Sequence, residues 1–248
     1  MEMEYFYRLY EQLERCAPSS DEETLKALKS LPQLPKQPRV LDIGCGNGAQ
    51  TLALAGQLGG EIVAIDNYQP FIDRLAAEAK SRLLKADIFP QCVSMFELPF
   101  AAQSFDLIWS EGAIYIIGFS EGLRQWKPLL KPGGYIVLTD MVWLQEDPPQ
   151  EIADYWGENN PNMTDTKERL AQAEAAGYQL IDHFTLSPEA WTEGYYRPLR
   201  ERIALMRQEL AGNETAEKVF SMTEEEADMY DRFGEWYGYE FILLQKKA

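Results

Sequence analysis

The sequence predicts an α/β fold built on a parallel sheet covered by helices on both faces. Three observations predict it. Short apolar runs of strand length recur between helical segments along residues 39–141. These runs are continuously apolar rather than alternating, as expected of strands buried on both sides. The first of them, Val40-Leu41-Asp42-Ile43, breaks into Gly44-Cys45-Gly46-Asn47-Gly48 just where a helical pattern starts. Glycines in such a turn allow positive φ and let a ligand approach the main chain, and the helix beyond it offers unpaired N–H groups.

The elements follow in order. Residues 2–16 carry Tyr5, Phe6, Leu9, Tyr10 and Leu13 at helical spacing. Ser20-Asp21-Glu22-Glu23 is a capping-box signal for a second helix through Ser30. Pro32, Pro35 and Pro38 then force an extended connection. A strand over 39–43 precedes a helix over 47–58, which Gly59-Gly60 ends. A second strand, 61–66, closes on Asp66, and 70–83 is helical. A short third strand is expected near 91–95, a fourth over 105–110, a helix over 120–130 and a fifth strand over 135–141 after the turn Lys131-Pro132-Gly133-Gly134.

Beyond Met141 the pattern changes. An acidic, proline-rich stretch at 145–160 holds a short helix around 151–156, followed by a helix over 164–176 and a strand over 178–186. Residues 188–237 read as mostly helical and rich in Trp, Tyr, Glu and Arg, and 239–245 closes as a strand. The domain division is therefore 1–38, N-terminal helices and linker with a lid as one role, and 39–248, in which 187–238 is a helical insertion or cap.

Composition bounds the function. The 248 residues are 46% hydrophobic and 25% charged, ordinary for a globular domain. A formal net charge of −17 opposes a phosphate-tracking surface and hence a free nucleic-acid substrate. The three cysteines, Cys16, Cys45 and Cys92, form no ligand pair, and with one histidine a catalytic metal site is not expected. No apolar run reaches the roughly 18 to 20 residues of a membrane span, and the acidic start Met1-Glu2-Met3-Glu4 is unlike a secretory signal. A cytoplasmic location is the expectation.

Gly44-x-Gly46-x-x-Ala49 with Asp66 downstream satisfies a dinucleotide fingerprint and, taken alone, leaves an NAD-linked oxidoreductase open. Three further features shift the balance: Asp42 ahead of the glycines, Leu98-Pro99-Phe100 before Ser104-Phe105-Asp106-Leu107-Ile108, and Leu129-Leu130-Lys131-Pro132-Gly133-Gly134-Tyr135. Over 40–140 the chain thereby resembles the class I S-adenosylmethionine-dependent methyltransferases, of the small-molecule type.

The resemblance implies a Rossmann-like seven-stranded sheet, order 3-2-1-4-5-7-6 with the last strand antiparallel. It implies S-adenosyl-L-methionine as cofactor and S-adenosyl-L-homocysteine as product. Carried onto this chain, Asp42 holds the methionine ammonium, directly or through water, and Gly44, Cys45, Gly46 and Asn47 pass under the ligand. Asp66 takes the ribose hydroxyls, with Asn67 and Tyr68 beside the adenine. Ser94 and Met95 occupy the adenine-amine positions, where many relatives have an acid followed by a small residue. Ser110 and Glu111 lie beside the methyl position.

Glu111 and Tyr115, just beyond the fourth strand, are the candidate catalytic pair for a small acceptor with an N or O nucleophile; Glu111 there orients a cationic amine or accepts a proton. Asp140 and Trp143 are weaker candidates, and His183 reads as a strand-face residue. Tyr5, Tyr7, Tyr10, Trp191, Tyr195, Tyr196, Arg197 and Trp236 are candidates to close over the acceptor or, alternatively, to pack helices or a homodimer contact. A cofactor-binding protein of the same fold without turnover is the remaining alternative.

Overall fold

Strands form where the apolar runs stand, and the computed structural model describes residues 2–247 of the chain. The strands are β1 (Arg39–Ile43), β2 (Glu61–Asp66), β3 (Asp87–Cys92), β4 (Phe105–Ser110), β5 (Leu130–Trp143), β6 (Thr164–Asp165), β7 (Tyr178–Thr185) and β8 (Tyr237–Lys246). They assemble in the order β3-β2-β1-β4-β5-β8-β7, with the two-residue β6 beside the end of β5. β1 to β5 pair in parallel, and β8 runs antiparallel to both β5 and β7. Setting β6 aside, this is the expected seven-strand order with its last strand reversed.

The helices are α1 (Glu2–Tyr10), α2 (Asp21–Ser30), α3 (Ala49–Gln57), α4 (Gln69–Ser81), α5 (Phe119–Trp126), α6 (Gln150–Asn159), α7 (Thr166–Ala175), α8 (Pro188–Trp191), α9 (Arg197–Glu209) and α10 (Glu214–Phe233). Alternate residues of each central strand feed opposite faces of the sheet. Val40, Ile62, Leu107 and Val137 join one core, and Leu41, Val63, Ile108 and Ile136 the other. β8 lies between two neighbours and is buried from Tyr237 to Leu244, which accounts for its mostly apolar run.

The structure departs from expectation in four places, each for a local reason. α1 stops at Tyr10 instead of 16, because the carbonyls beyond it are claimed from outside the helix. Asn47 Nδ2 donates to Tyr10 O (2.7 Å) and Leu13 O (2.8 Å), and Arg74 Nη1 donates to Glu11 O and Leu13 O (2.5 and 2.7 Å). β3 lies at Asp87–Cys92 rather than near 91–95. It is the sheet's edge, where a proline such as Pro90 is tolerated and burial leaves little apolar pattern to read. Lys131 to Gly134 do not precede β5 but sit within it as a bulge, the register jumping from Phe105↔Leu130 to Leu107↔Tyr135 with Gly133 at φ +72°. The helix expected over 120–130 ends at Trp126 and tightens into a 3₁₀ turn, Lys127–Leu129, at Pro128.

The N-terminal helices and those before β8 pack on one another. Tyr10 and Tyr195 share a hydrogen bond between their hydroxyls (2.8 Å), Asn213 Nδ2 donates to Tyr5 Oη (2.7 Å), and Ser187 N donates to Glu23 Oε1 (2.7 Å). No helix among the described residues is long and apolar enough to cross a membrane.

Gly48 at the start of α3 has φ +87°, and a Cβ there would stand 2.3 Å from Leu75 Cδ1. Gly48→Ala should cost about 1–3 kcal/mol of stability through strain and overpacking, read as a lowered midpoint in urea titration.

Candidate active site

The turn after β1 is tied to the end of β2: Gly44 N and Cys45 N both donate to Ile65 O at 2.9 Å. Gly44 (φ +74°) and Gly46 (φ +52°) adopt conformations that side chains disfavour. A Cβ on Gly44 would meet Ala113 Cβ at 2.5 Å, and one on Gly46 would meet Cys16 Sγ at 2.9 Å. The turn is therefore bare backbone at the floor of a cavity of about 440 Å³ beyond the C-terminal ends of β1, β2 and β4. Ligands bind at this edge in open α/β sheets.

Most of the expected residues line that cavity: Gly44, Cys45, Gly46, Asn47, Asp66, Asn67, Ser94, Met95, Glu111 and Tyr115. Two do not. Asp42 is wholly buried and faces α3, where Oδ2 accepts from Thr51 Oγ1 (2.5 Å) and Oδ1 from Gln50 Nε2 (3.4 Å). Ser110 is also buried, donating its hydroxyl to Ile43 O (3.0 Å) and so joining β4 to β1.

Asp66 stands at the rim with its carboxylate oriented by the backbone. Oδ2 accepts from Gly46 N (3.0 Å) and Oδ1 from Tyr68 N (3.1 Å). Each oxygen retains a further lone pair. Partial burial pushes this carboxyl above its usual range, opposed by those N–H bonds. Ser94 Oγ accepts from Phe96 N (3.3 Å) and can take one more bond.

Glu111 has a fuller set of partners than expected. Oε1 accepts from Thr24 Oγ1 and Trp109 Nε1, both at 2.8 Å, and Oε2 lies 3.5 Å from Arg15 Nη1. Its carboxylate thus fastens 15–24 to the end of β4. Among the described residues Arg15 is the one basic residue lining the cavity, and it also pairs with Asp21 at 2.5 Å.

Tyr115 is half exposed. Its apolar surroundings and the charge of Glu226 nevertheless push the phenol up to about 12, leaving it a hydrogen-bond donor at neutral pH.

The other candidates are employed elsewhere. Asp140 forms a buried ion pair with Arg169 of α7 (2.7 Å), and Trp143 packs edge-on against Tyr237. His183 Nδ1 lies 2.5 Å from the buried Glu240 on β8. Arg197 is exposed and paired with Glu193. No group of three or more His, Cys, Asp or Glu among the described residues is placed to hold a metal ion.

α1 supplies the roof. Met3, Phe6, Tyr7 and Tyr10 line the cavity, with Tyr7 stacked on Tyr68 (4.3 Å between centroids, 9° between planes) and donating to Asn67 Oδ1 (3.2 Å). Sequence reasoning named the tyrosines as a cover but missed Gln50, Phe71 and Phe96. Gln50 carried a signal in its place in the first turn of the helix beyond the glycines.

A family model described as "Methyltransferase domain" matches residues 40–134. Among curated proteins, the 27-O-demethylrifamycin SV methyltransferase of Amycolatopsis mediterranei is 31% identical over 109 residues, covering 42% of this chain and 39% of that one. The chain spans about half the length, or less, of the curated relatives it matches most strongly. A solved methyltransferase from Geobacter sulfurreducens, in complex with S-adenosyl-L-homocysteine, shares the fold at TM-score 0.82 and 20% identity over 98% of both chains. The [4+2]-cyclase SpnF also shares it, at TM-score 0.73 and 21% identity, over 95% of this chain and 86% of that one. Residues 40–134 thus match a methyltransferase domain, and the chain shares the fold of solved S-adenosylmethionine-dependent methyltransferases.

Two variants probe the site without a substrate. Glu111→Ala leaves Arg15, Thr24 and Trp109 without their acceptor and should cost about 2–4 kcal/mol. Faster amide hydrogen exchange should concentrate in residues 11–24, with β1 and β4 retaining more protection.

The carboxyl of Asp42 is pushed up to about 7 by burial, opposed by Thr51 and reinforced by the charges of Glu111 and Asp66. The folded state thus keeps a proton that the unfolded chain, at 3.8, has released, so stability falls as pH rises between those values. Asp42→Asn should match the parent near pH 4 and exceed it by about 1–3 kcal/mol at pH 8, measured by urea unfolding at both.

Proposed function

We propose that the chain transfers a methyl group from S-adenosyl-L-methionine to a small-molecule acceptor bearing a nitrogen or oxygen nucleophile. The supporting observation is the bare Gly44–Gly46 floor facing the fixed carboxylate of Asp66, a cradle that side chains would fill. When bound, the cofactor supplies a methyl group on a positively charged sulfur. The acceptor's lone pair forms the bond to the methyl carbon as the carbon–sulfur bond breaks, its electron pair staying on sulfur. An acceptor that began as N–H or O–H releases a proton to water.

The protein's part is positioning and exclusion of water. Asp66 takes the ribose hydroxyls, and Asn67, Ser94 and Met95 surround the adenine. Arg15 meets the methionine carboxylate, being the cavity's one cation. Asp42 acts on the ammonium end through Gln50, which lines the cavity and reaches it. Glu111 serves as a positioning residue for Arg15, in place of a free base, and Tyr115 donates a hydrogen bond to the acceptor. Residues 1–38 and 187–238 form the cover over the acceptor side, on the 39–248 framework.

Calorimetry with S-adenosyl-L-homocysteine should show binding that Asp66→Ala weakens at least about tenfold, the loss of a charge-assisted bidentate contact. Labelled methyl donor incubated with a metabolite extract should transfer its label to a small molecule. Binding of NAD with none of the adenosyl thioether would reverse the assignment; binding without label transfer would leave a cofactor-binding protein.

A further inference from the structure

A second chamber, of about 390 Å³, opens from the first and shares Phe6, Tyr10, Cys16, Ala17, Gly112 and Tyr115 with it. Tyr115, just beyond β4, stands where the two meet. The remaining wall is chiefly aromatic, from Tyr155 and Trp156 on α6, Trp191 and Tyr195 around α8, and Tyr239 on β8. Its size falls in the range of small-molecule pockets.

Among the described residues, the charged ones lining this chamber are Glu2, Glu225 and Glu226, with no Lys, Arg or His. Glu2 is already neutralised by Lys218 at 2.7 Å, and Glu225 is exposed. Glu226 differs from both. It accepts one hydrogen bond, from Tyr196 Oη at 3.0 Å, and has no ion-pair partner among the described residues. It lines the chamber half-buried, and its charge raises the phenols of Tyr10, Tyr115, Tyr195 and Tyr239 around it.

A carboxylate held in apolar surroundings without a cation is costly, and a ligand bearing one removes that cost. Aromatic faces attract the same kind of charge. We propose that this chamber is the acceptor subsite and that Glu226 selects a small amine with an apolar flank, bound as the ammonium and releasing a proton to Glu226 or water to free the lone pair that takes the methyl group. The proposal rests on the methyltransferase reading and adds to it the acceptor's chemical class. Burial raises the carboxyl of Glu226, the response expected of a group that gains from a cationic partner. A neutral alcohol held by a protonated Glu226 is the competing occupant, and the test separates the two.

The test is calorimetry on protein saturated with S-adenosyl-L-homocysteine, using 2-phenylethylamine and benzyltrimethylammonium against 2-phenylethanol, the neutral isostere of the amine. The cations should bind at least about tenfold more tightly than the alcohol. Glu226→Gln should remove most of that margin while leaving the alcohol and the adenosyl thioether unchanged. Equal binding of cation and alcohol, no cation binding, or cation binding indifferent to Glu226→Gln would each overturn the proposal. The cation-to-alcohol comparison on the unaltered protein decides the matter even where the variant does not fold. A silent titration of the adenosyl thioether would instead count against the methyltransferase reading, and the amine comparison on the free protein would still report the chamber's preference.

Discussion

The site depends on how closely four backbone segments approach at the tips of β1 and β4. Gly44 lies against Ala113, Gly46 against Cys16, Gly48 against Leu75 and Gly112 against Ala17, and at each a Cβ would come within 2.9 Å of that neighbour's side chain. All four glycines have positive φ. With side chains there, 16–17 could not cross the turn, and the roof and floor of the cavity would lose their spacing. Asn47 then fixes the crossing by taking two carbonyls from the chain just beyond α1. The same turn that leaves room for a ligand is thus also the seat of the N-terminal cover.

Carboxylates crowd this region. Glu14, Asp66 and Glu111 line the first cavity against a single Arg15, with Asp42 buried behind it and Glu226 in the adjoining chamber. Asp42, Asp66 and Glu226 are all pushed upward by burial, and Asp42 further by the charges of Glu111 and Asp66. Negative charge in this region is therefore held at a cost, and positive charge brought close to it lowers that cost.

The sheet was legible because β1, β2, β4 and β8 lie between neighbours and bury both faces, leaving mostly apolar runs. β3 was misplaced by several residues since it is an edge strand that includes Asp87 and Pro90. Glu111 was legible as a functional carboxylate from its place after β4. Its partners were not, because Thr24 lies 87 positions away in sequence and Trp109 points its indole back along the chain. Asp42 was read as a ligand contact from its place before the glycines, yet strand alternation directs it toward α3 and Thr51. Glu226 gave no signal, standing within Glu224-Glu225-Glu226 on α10 like any solvated helix face. Only the folding of α10 against α1 and α8 separates it from its two neighbours.

The solved proteins that share this fold include a cyclase as well as methyltransferases, so the sheet and the glycine turn do not by themselves fix a reaction. What varies is whatever stands in front of the reactive group. In this chain that space is bounded by Tyr115 from the β4 end, Tyr10 from α1, Tyr195 beyond α8 and Glu226 from α10. These come from four separate segments, three of them outside the stretch that matches the family model. The Tyr10–Tyr195 hydrogen bond makes the N-terminal helices and those before β8 one wall of that space.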